Sequence, residues 1–331
     1  MNDSAVVIGS NSFSGSHFAM GLLDEGFDVL GISRSAEPNR AFLPYRWNAD
    51  DADGFRFSQL DLNDRTAEIL DAIAEFRAEY VVNFAAQSMV AQSWDQPEDW
   101  YRTNVLANVR LHEGLRRFDF LKQYVHVSTP EVYGNCAGKV TESAPFNPSS
   151  PYATSRAACD MHLMNYHANY DFPVVFTRSA NVYGPGQQVY RIIPKTILSI
   201  RKGIKLPLHG GGTSMRSFIH IRDVVSATLA VMREASPPEV FHIATERYVS
   251  IRELVEIICT TMGVAFEDVV DLADERPGKD AAYYLDSSKA RQELEWSDRV
   301  SLEEGILETI EWVNSHIAEL SRQPTEYIHK Q

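Results

Sequence analysis

The chain opens on short apolar runs separated by longer stretches with apolar residues at helical spacing. Ala5-Val6-Val7-Ile8 is such a run, closed by Gly9, and residues 14–25 then carry Phe18, Leu22 and Leu23 on one side of a predicted helix. Residues 28–32, 80–84, 123–127 and 173–177 repeat the apolar run and, with residues 55–60, predict five further strands. Helices predicted over 64–78, 97–118 and from Pro151 lie between them. Strands apolar throughout and alternating with helices predict a parallel sheet covered on both faces. Right-handed crossovers make that sheet doubly wound. The expected fold class is therefore α/β, a Rossmann-type doubly wound parallel sheet.

After Tyr183 the rhythm changes. Gly184-Pro185-Gly186 forms turns, residues 208–213 read as a glycine-rich loop, and shorter helices are predicted over 221–233, 250–262 and 301–320. This predicts a dinucleotide-binding domain over 1–183, with parts of the later chain returning to it. A smaller α+β substrate lobe over 184–321 would cap the sheet. Residues 322–331 are polar and read as a frayed tail.

Composition narrows the function. The 331 residues are 44% hydrophobic and 23% charged, as in an ordinary soluble domain, and the formal net charge of -14 speaks against nucleic acid as a partner. Cys136, Cys159 and Cys259 are far apart, and His17, His162, His209 and His242 lack ligand spacing, so neither a disulfide framework nor a metal is expected. No leader sequence and no apolar run near the roughly 20 residues of a membrane span is present, so the expectation is a cytoplasmic protein without a membrane partner.

Candidate chemistry begins at the first turn. Gly9-Ser10-Asn11-Ser12-Phe13-Ser14-Gly15 joins a strand to a helix, where glycines permit the tight turn and close helix packing, and the helix amino terminus faces a pyrophosphate. Ser12 stands at the middle glycine of the usual three. After the second strand come Ser33-Arg34-Ser35 with no acid, which leans the cofactor to NADP over NAD; a solvated Arg34 is the alternative. Asp61 and Leu62 follow the third strand, placed either to face adenine or to cap a helix.

These features, with Phe84-Ala85-Ala86-Gln87-Ser88, Ser128-Thr129-Pro130-Glu131-Val132-Tyr133-Gly134, Tyr152 with Arg156, Asn181-Val182-Tyr183-Gly184-Pro185, the stretch from Arg216 to Asp223, and Arg276-Pro277-Gly278, resemble extended short-chain dehydrogenases/reductases acting on nucleotide-sugars. Within that group the chain is most similar to nucleotide-sugar 4,6-dehydratases, which are lyases. The resemblance implies a retained NADP or NAD held also by Phe84, Ala85, Ala86, Asn104, Val127, Tyr152 and Arg156. It implies that Tyr152 takes a proton from the sugar 4-hydroxyl, that Thr129 hydrogen-bonds that oxygen and that Glu131 takes the C5 proton. Gln87, Ser88, Asn181, Arg191, Arg216 and Arg276 are expected at the sugar nucleotide. Two departures stand out: Arg156 replaces the family lysine, and Pro130 replaces the aspartic acid that dTDP-glucose enzymes use as an acid. The resemblance also implies a homodimer joined through the helices over 97–118 and 152–170. An epimerase, a uronic acid decarboxylase, and a non-catalytic nucleotide-sugar or dinucleotide binder remain as alternatives.

Overall fold

The computed structural model describes residues 3–47, 53–136, 138–274 and 284–329. Seven strands form its central sheet: β1 (Ser4–Ile8), β2 (Asp28–Ser33), β3 (Phe55–Gln59), β4 (Tyr80–Asn83), β5 (Gln123–Val127), β6 (Val174–Ser179) and β7 (Val240–Ile243). Their order is β3-β2-β1-β4-β5-β6-β7, and every neighbouring pair is parallel. Helices alternate with them: α1 (Phe13–Asp24), α2 (Thr66–Phe76), α3 (Pro97–Tyr101), α4 (Asn108–Leu115), α5 (Pro151–Tyr170), α6 (Ile192–Lys202), α7 (Ile221–Glu234) and α8 (Ile251–Thr261).

The period of two along each strand explains why both faces are apolar. On β1, Ala5 and Val7 point to one face, where Phe18 and Leu22 of α1 and Val224 and Val231 of α7 cover them. Val6 and Ile8 point to the other, beneath Ile69 and Ile73 of α2, Leu111 of α4 and Leu163 of α5. The expected doubly wound fold is thereby observed, and β7 is a seventh strand that the sequence pattern did not reveal.

The helix expected over 97–118 is continuous but not uniform. Arg102–Ala107, between α3 and α4, is a π-helical turn. Asn108 explains it locally: its amide Nδ2 donates to the carbonyls of Thr103 at 3.0 Å and Asn104 at 3.3 Å, competing with the backbone ladder.

The smaller lobe gathers short strand pairs. Leu206–His209 runs parallel to Val270–Ala273, Asn181–Tyr183 parallel to Phe218–His220, and Met215–Arg216 antiparallel to Val249–Ser250. Ile193 and Ile197 of α6, Leu254 and Ile258 of α8, and Ile306 and Ile310 of the helix Leu302–Ser315 make its core. Among the described residues, no helix is long and apolar enough to cross a membrane. Of the tail, residues 322–329 are described, and Glu326, Tyr327 and His329 contact the body.

β1 and β4 are neighbours, although the chain travels away from β1 in the opposite direction through β2 and β3. The crevice outside their carboxyl ends is where doubly wound sheets bind ligands. The loops after β1, β4 and β5 all end there.

Candidate functional site

The loop after β1 is shaped by contacts that exclude side chains. Gly9 has φ +87°, and a Cβ there would lie 2.8 Å from the Ala85 nitrogen, so loops β1–α1 and β4–α3 meet backbone to backbone. A Cβ on Gly15 would overlap the Gly9 carbonyl oxygen. Ser12 is the N-cap of α1, its hydroxyl accepting from the Gly15 N–H at 3.1 Å. Serine at the middle glycine position therefore takes one first-turn donor. The amides of Phe13 and Ser14 lack an acceptor in their own helix, as at any helix start. The first turn of α1 contains no acidic residue, so its positive end is uncancelled. These residues suit a dinucleotide pyrophosphate.

Around the loop, the Ser33 hydroxyl accepts from the Asn11 N–H at 2.9 Å, and the Asn11 side chain donates to the Ser35 carbonyl at 2.9 Å. Ser33 thus braces the loop, and Arg34 follows it at the rim. Asp61 Oδ1 accepts from the Asn63 N–H at 2.8 Å, closing an Asx turn, and Leu62 is buried. Phe84, Ala85 and Ala86 are half-buried along the crevice floor. Asn104, in the π-helical turn, is wholly buried. Its side chain accepts from Gln87 N at 2.9 Å and donates to Gln87 O and Ser155 Oγ, each at 3.0 Å. It pins the loop after β4 to α5.

The candidate reactive side chains meet at the end of β5. Thr129 caps a short turn, Pro130–Tyr133, whose first position suits a proline because no N–H is needed there. That turn carries Glu131 back over Thr129, and Thr129 Oγ1 donates to Glu131 Oε2. On α5, Tyr152, Arg156 and Asp160 are spaced by four and share one stripe of the helix. Tyr152 is only 8% exposed, and Thr129, Glu131 and Arg156 all act on its phenol. Burial chiefly, and then the Glu131 carboxylate, push its phenol up to about 12, while Arg156, Thr129 and Arg191 pull it down. A hydroxyl, a carboxylate, a phenol and two cations thus converge.

Arg156 is placed differently from a flexible ammonium. Its guanidinium is buried, and Nη2 donates to the Val127 carbonyl and lies 3.2 Å from His126 Nε2. Arg156 Nε has no protein partner, a buried donor left over at the base of the crevice. Below it lies a polar bed. Asp160 accepts from Ser128 Oγ at 2.9 and 2.7 Å on its two oxygens, and from Arg178 Nη2 at 2.7 Å. Arg178 also donates to Tyr133 OH, which pairs with His242 Nε2 at 2.7 Å. Asp160 and Arg178 are fully buried, so the pair fixes the residue immediately before Thr129.

His112, His126 and Cys159 bring one potential ligand atom each within 4.8 Å of one another. His112 Nε2 is engaged by Tyr124 OH at 3.0 Å and His126 Nε2 by Arg156, whose permanent charge opposes a second cation. Burial pushes the Cys159 thiol up to about 12, away from the thiolate a metal needs. The cluster is packed core.

Of the residues expected at a sugar nucleotide, Gln87 is buried and Ser88 exposed. Asn181 is held by its N–H to Ser217 O at 3.1 Å. Arg191 precedes α6, stands over the Tyr190 ring at 5.6 Å and acts electrostatically on Tyr152. Arg216 Nη1 donates to the Met215 carbonyl at 2.7 Å. Arg276 lies outside the described residues. Sequence reasoning missed His126, Asp160 and Arg178. Only Asp160 carried a local signal, its four-residue offset from Arg156.

Residues 6–309 match the family described as GDP-mannose 4,6 dehydratase. A dTDP-D-glucose 4,6-dehydratase of Mus musculus is 33% identical over 319 residues, spanning 93% of this chain and 87% of that one. The dTDP-glucose 4,6-dehydratase of Streptomyces antibioticus is 32% identical over 322 residues, covering 95% and 93%. Among solved structures, a dTDP-glucose 4,6-dehydratase from Streptomyces venezuelae with NAD and TYD bound superposes with TM-score 0.87 at 30% identity, covering 96% of this chain and 98% of that one. A UDP-glucose 4-epimerase from Thermotoga maritima with UDP-glucose gives TM-score 0.86 at 26% identity, covering 95% and 99%.

Proposed function

The chain belongs to the GDP-mannose 4,6 dehydratase family of extended short-chain dehydrogenases/reductases, and from that premise we propose that it is an NAD(P)-dependent nucleotide-sugar 4,6-dehydratase, a lyase. It would convert an NDP-hexose to an NDP-4-keto-6-deoxy sugar. The observation that supports the reading is the Thr129–Glu131 hydrogen bond beside the buried Tyr152 phenol, on which both residues act, a set suited to supply a base for an alcohol and a base for a carbon acid.

The nicotinamide cofactor, when bound, supplies the hydride acceptor and donor that make C4 a ketone and C6 a methyl group. The Gly9–Gly15 loop and the start of α1 would hold its pyrophosphate, and Arg34 favours a 2′-phosphate and hence NADP. Tyr152 takes the 4-hydroxyl proton, with Arg156 and Arg191 favouring the phenolate. Thr129 turns its hydroxyl from Glu131 to the 4-oxygen. Glu131, freed of that donor, takes the C5 proton and delivers it, directly or through one water, to the departing 6-oxygen, which leaves as water; as hydride returns to C6, a solvent proton passed through Glu131 completes C5. Pro130 offers no acid, so a single carboxylate serves both tasks. An epimerase shares the fold, as the Thermotoga neighbour illustrates, but leaves Glu131 without a task.

Incubation with dTDP-glucose, GDP-mannose, UDP-glucose and CDP-glucose in deuterated water tests this. One of the four should yield a 4-keto-6-deoxy product labelled at C5; no such product from any of them refutes dehydration. Titration with both cofactors tests the lean to NADP, which a preference for NAD overturns. The dimer is proposed from Leu106, 55% exposed beside α4, and Met161, 56% exposed on α5, apolar side chains on the two helices concerned. A monomeric mass in solution refutes it.

A further inference from the structure

One buried ion pair holds both ends of the short turn Pro130–Tyr133, which carries Glu131. At the entrance, Ser128 Oγ donates to the two oxygens of Asp160 at 2.9 and 2.7 Å. Thr129 is extended, with φ -151° and ψ 146°, so its side chain points away from the side that Ser128 faces. At the far end, Arg178 Nη1 donates to the Tyr133 hydroxyl, and the guanidinium lies 4.9 Å from the centre of that ring. Arg178 Nη2 closes the frame on Asp160 at 2.7 Å. His242 Nε2 pairs with the same tyrosine hydroxyl at 2.7 Å.

Backbone contacts complete the grip at the exit. The Asn147 N–H donates to Val132 O at 2.9 Å, and the Gly134 N–H to Glu131 O at 3.0 Å. A Cβ on Gly134, whose φ is +62°, would overlap the Asn147 carbonyl oxygen. Asp160 stands eight residues after Tyr152 on α5, about 12 Å along the helix axis. A single helix therefore carries both the phenol and the carboxylate that anchors the turn. Asp160, Arg178 and Tyr133 are all fully buried. Apolar residues of similar volume would hold a fold about as well as a buried charge pair, whereas hydrogen bonds add a fixed geometry.

We propose that Asp160, Arg178 and Tyr133 are positioning residues for the proton transfer at C5, setting the Glu131 carboxylate in register with Tyr152. The proposal rests on the reading that Glu131 is the carbon base of a nucleotide-sugar dehydratase, and adds what aims it. Tyr133 lies two residues after Glu131 and is gripped by Arg178, so loosening that end of the turn displaces Glu131 first. Tyr152 is carried by α5 itself, so oxidation at C4 is spared.

The parent, Tyr133→Phe and Arg178→Lys are assayed with whichever of dTDP-glucose, GDP-mannose, UDP-glucose and CDP-glucose the parent converts. Rapid mixing reads reduced nicotinamide, deuterium at C5 reads the carbon step, and steady-state rates give kcat and KM. Tyr133→Phe removes the hydroxyl and keeps the ring beside the guanidinium. Product formation and C5 labelling should fall about tenfold or more, since displacing a reacting group by about 1 Å costs up to about 100-fold. Oxidation at C4 and KM should stay within about threefold of the parent. Arg178→Lys keeps a charge beside Asp160 without the fork that also reaches Tyr133, and should show the same split, so either variant alone decides. In a Glu131→Gln background, adding Tyr133→Phe should slow the residual rate by less than about twofold, because no carboxylate is left to aim. Equal slowing in both backgrounds, or equal loss of C4 oxidation and C5 labelling, assigns the frame to the fold alone and overturns the proposal. An unchanged rate overturns it too. A parent that converts none of the four sugar nucleotides removes the dehydratase reading, and this one with it.

Discussion

Glu131→Gln separates the two halves of the reaction. The amide keeps the outline of the side chain and an oxygen for the Thr129 hydroxyl, but cannot take a proton from carbon. A positioned base is worth roughly 10²–10⁴ in rate, or about 3–5 kcal/mol of barrier, so product formation should fall by that factor. The structure adds a second effect of opposite sign. After burial, the Glu131 carboxylate is the largest influence keeping Tyr152 protonated. Without it the phenol ionises more readily, and oxidation at C4 should reach its plateau at lower pH than in the parent. Rapid mixing with the accepted NDP-hexose should show reduced nicotinamide accumulating and persisting, with no deuterium at C5. A variant that still releases 4-keto-6-deoxy product within about threefold of the parent rate refutes the assignment of Glu131. Accumulation of reduced cofactor with an unmoved pH profile would instead show that the carboxylate does not act on the phenol.

Tyr152→Phe should lower turnover by at least about 100-fold while nucleotide affinity, measured by titration, stays near that of the parent. A variant that keeps its rate would return the chain to the class of binders. Asp160→Asn leaves the Arg178 guanidinium buried without its counter-charge and should cost about 3–5 kcal/mol in urea unfolding. A loss below about 1 kcal/mol would show that the bed beneath Ser128 adapts to neutral partners. Stability should also fall in mild acid. Burial pushes His17 down to about 4, and His220 and His242 to about 3, from the ordinary 6.5. The unfolded chain binds these protons first, so the stabilisation is complete above pH 6.5 and is lost as pH drops towards 4. The slope is up to about 1.4 kcal/mol per pH unit for each histidine. Denaturant midpoints that stay level from pH 7 to pH 5 would contradict the neutral, buried placement of these rings.

Five of the first six strands were legible as apolar runs against polar flanks, and Phe55–Gln59 through Phe55 and Phe57 alternating with polar residues. Val240–Ile243 was not, since four residues containing a histidine give too little signal. His242 becomes intelligible only when Tyr133, far away in sequence, is seen against it. The helix Ile192–Lys202 has apolar spacing, but Pro194 at its third position and the glycine-rich turns before it obscured the pattern. The reactive trio was readable because Thr129 and Glu131 are two residues apart and Tyr152 opens the next helix. What holds the trio was not: Arg178 and His126 are ordinary strand residues until the sheet places them under Ser128 and Arg156. The terminal segment hid its contacts for the same reason. Its partners, Tyr190, Lys195 and Trp100, lie more than a hundred residues earlier, and polar composition alone carries no trace of them.

The late arrival of β7 has a consequence for how this protein is made and altered. The chain leaves the sheet at Ser179, lays down part of the neighbouring lobe, and only then returns with α7 and β7. During synthesis the outer edge of β6 therefore stays open, and the hydrophobic face later roofed by Val224, Ala227 and Val231 stays wet, until residue 243 has emerged. Open parallel edges invite other chains. A gene fragment stopping near residue 183 would for that reason express as aggregate, and swapping lobes between relatives demands two splice points flanking the return.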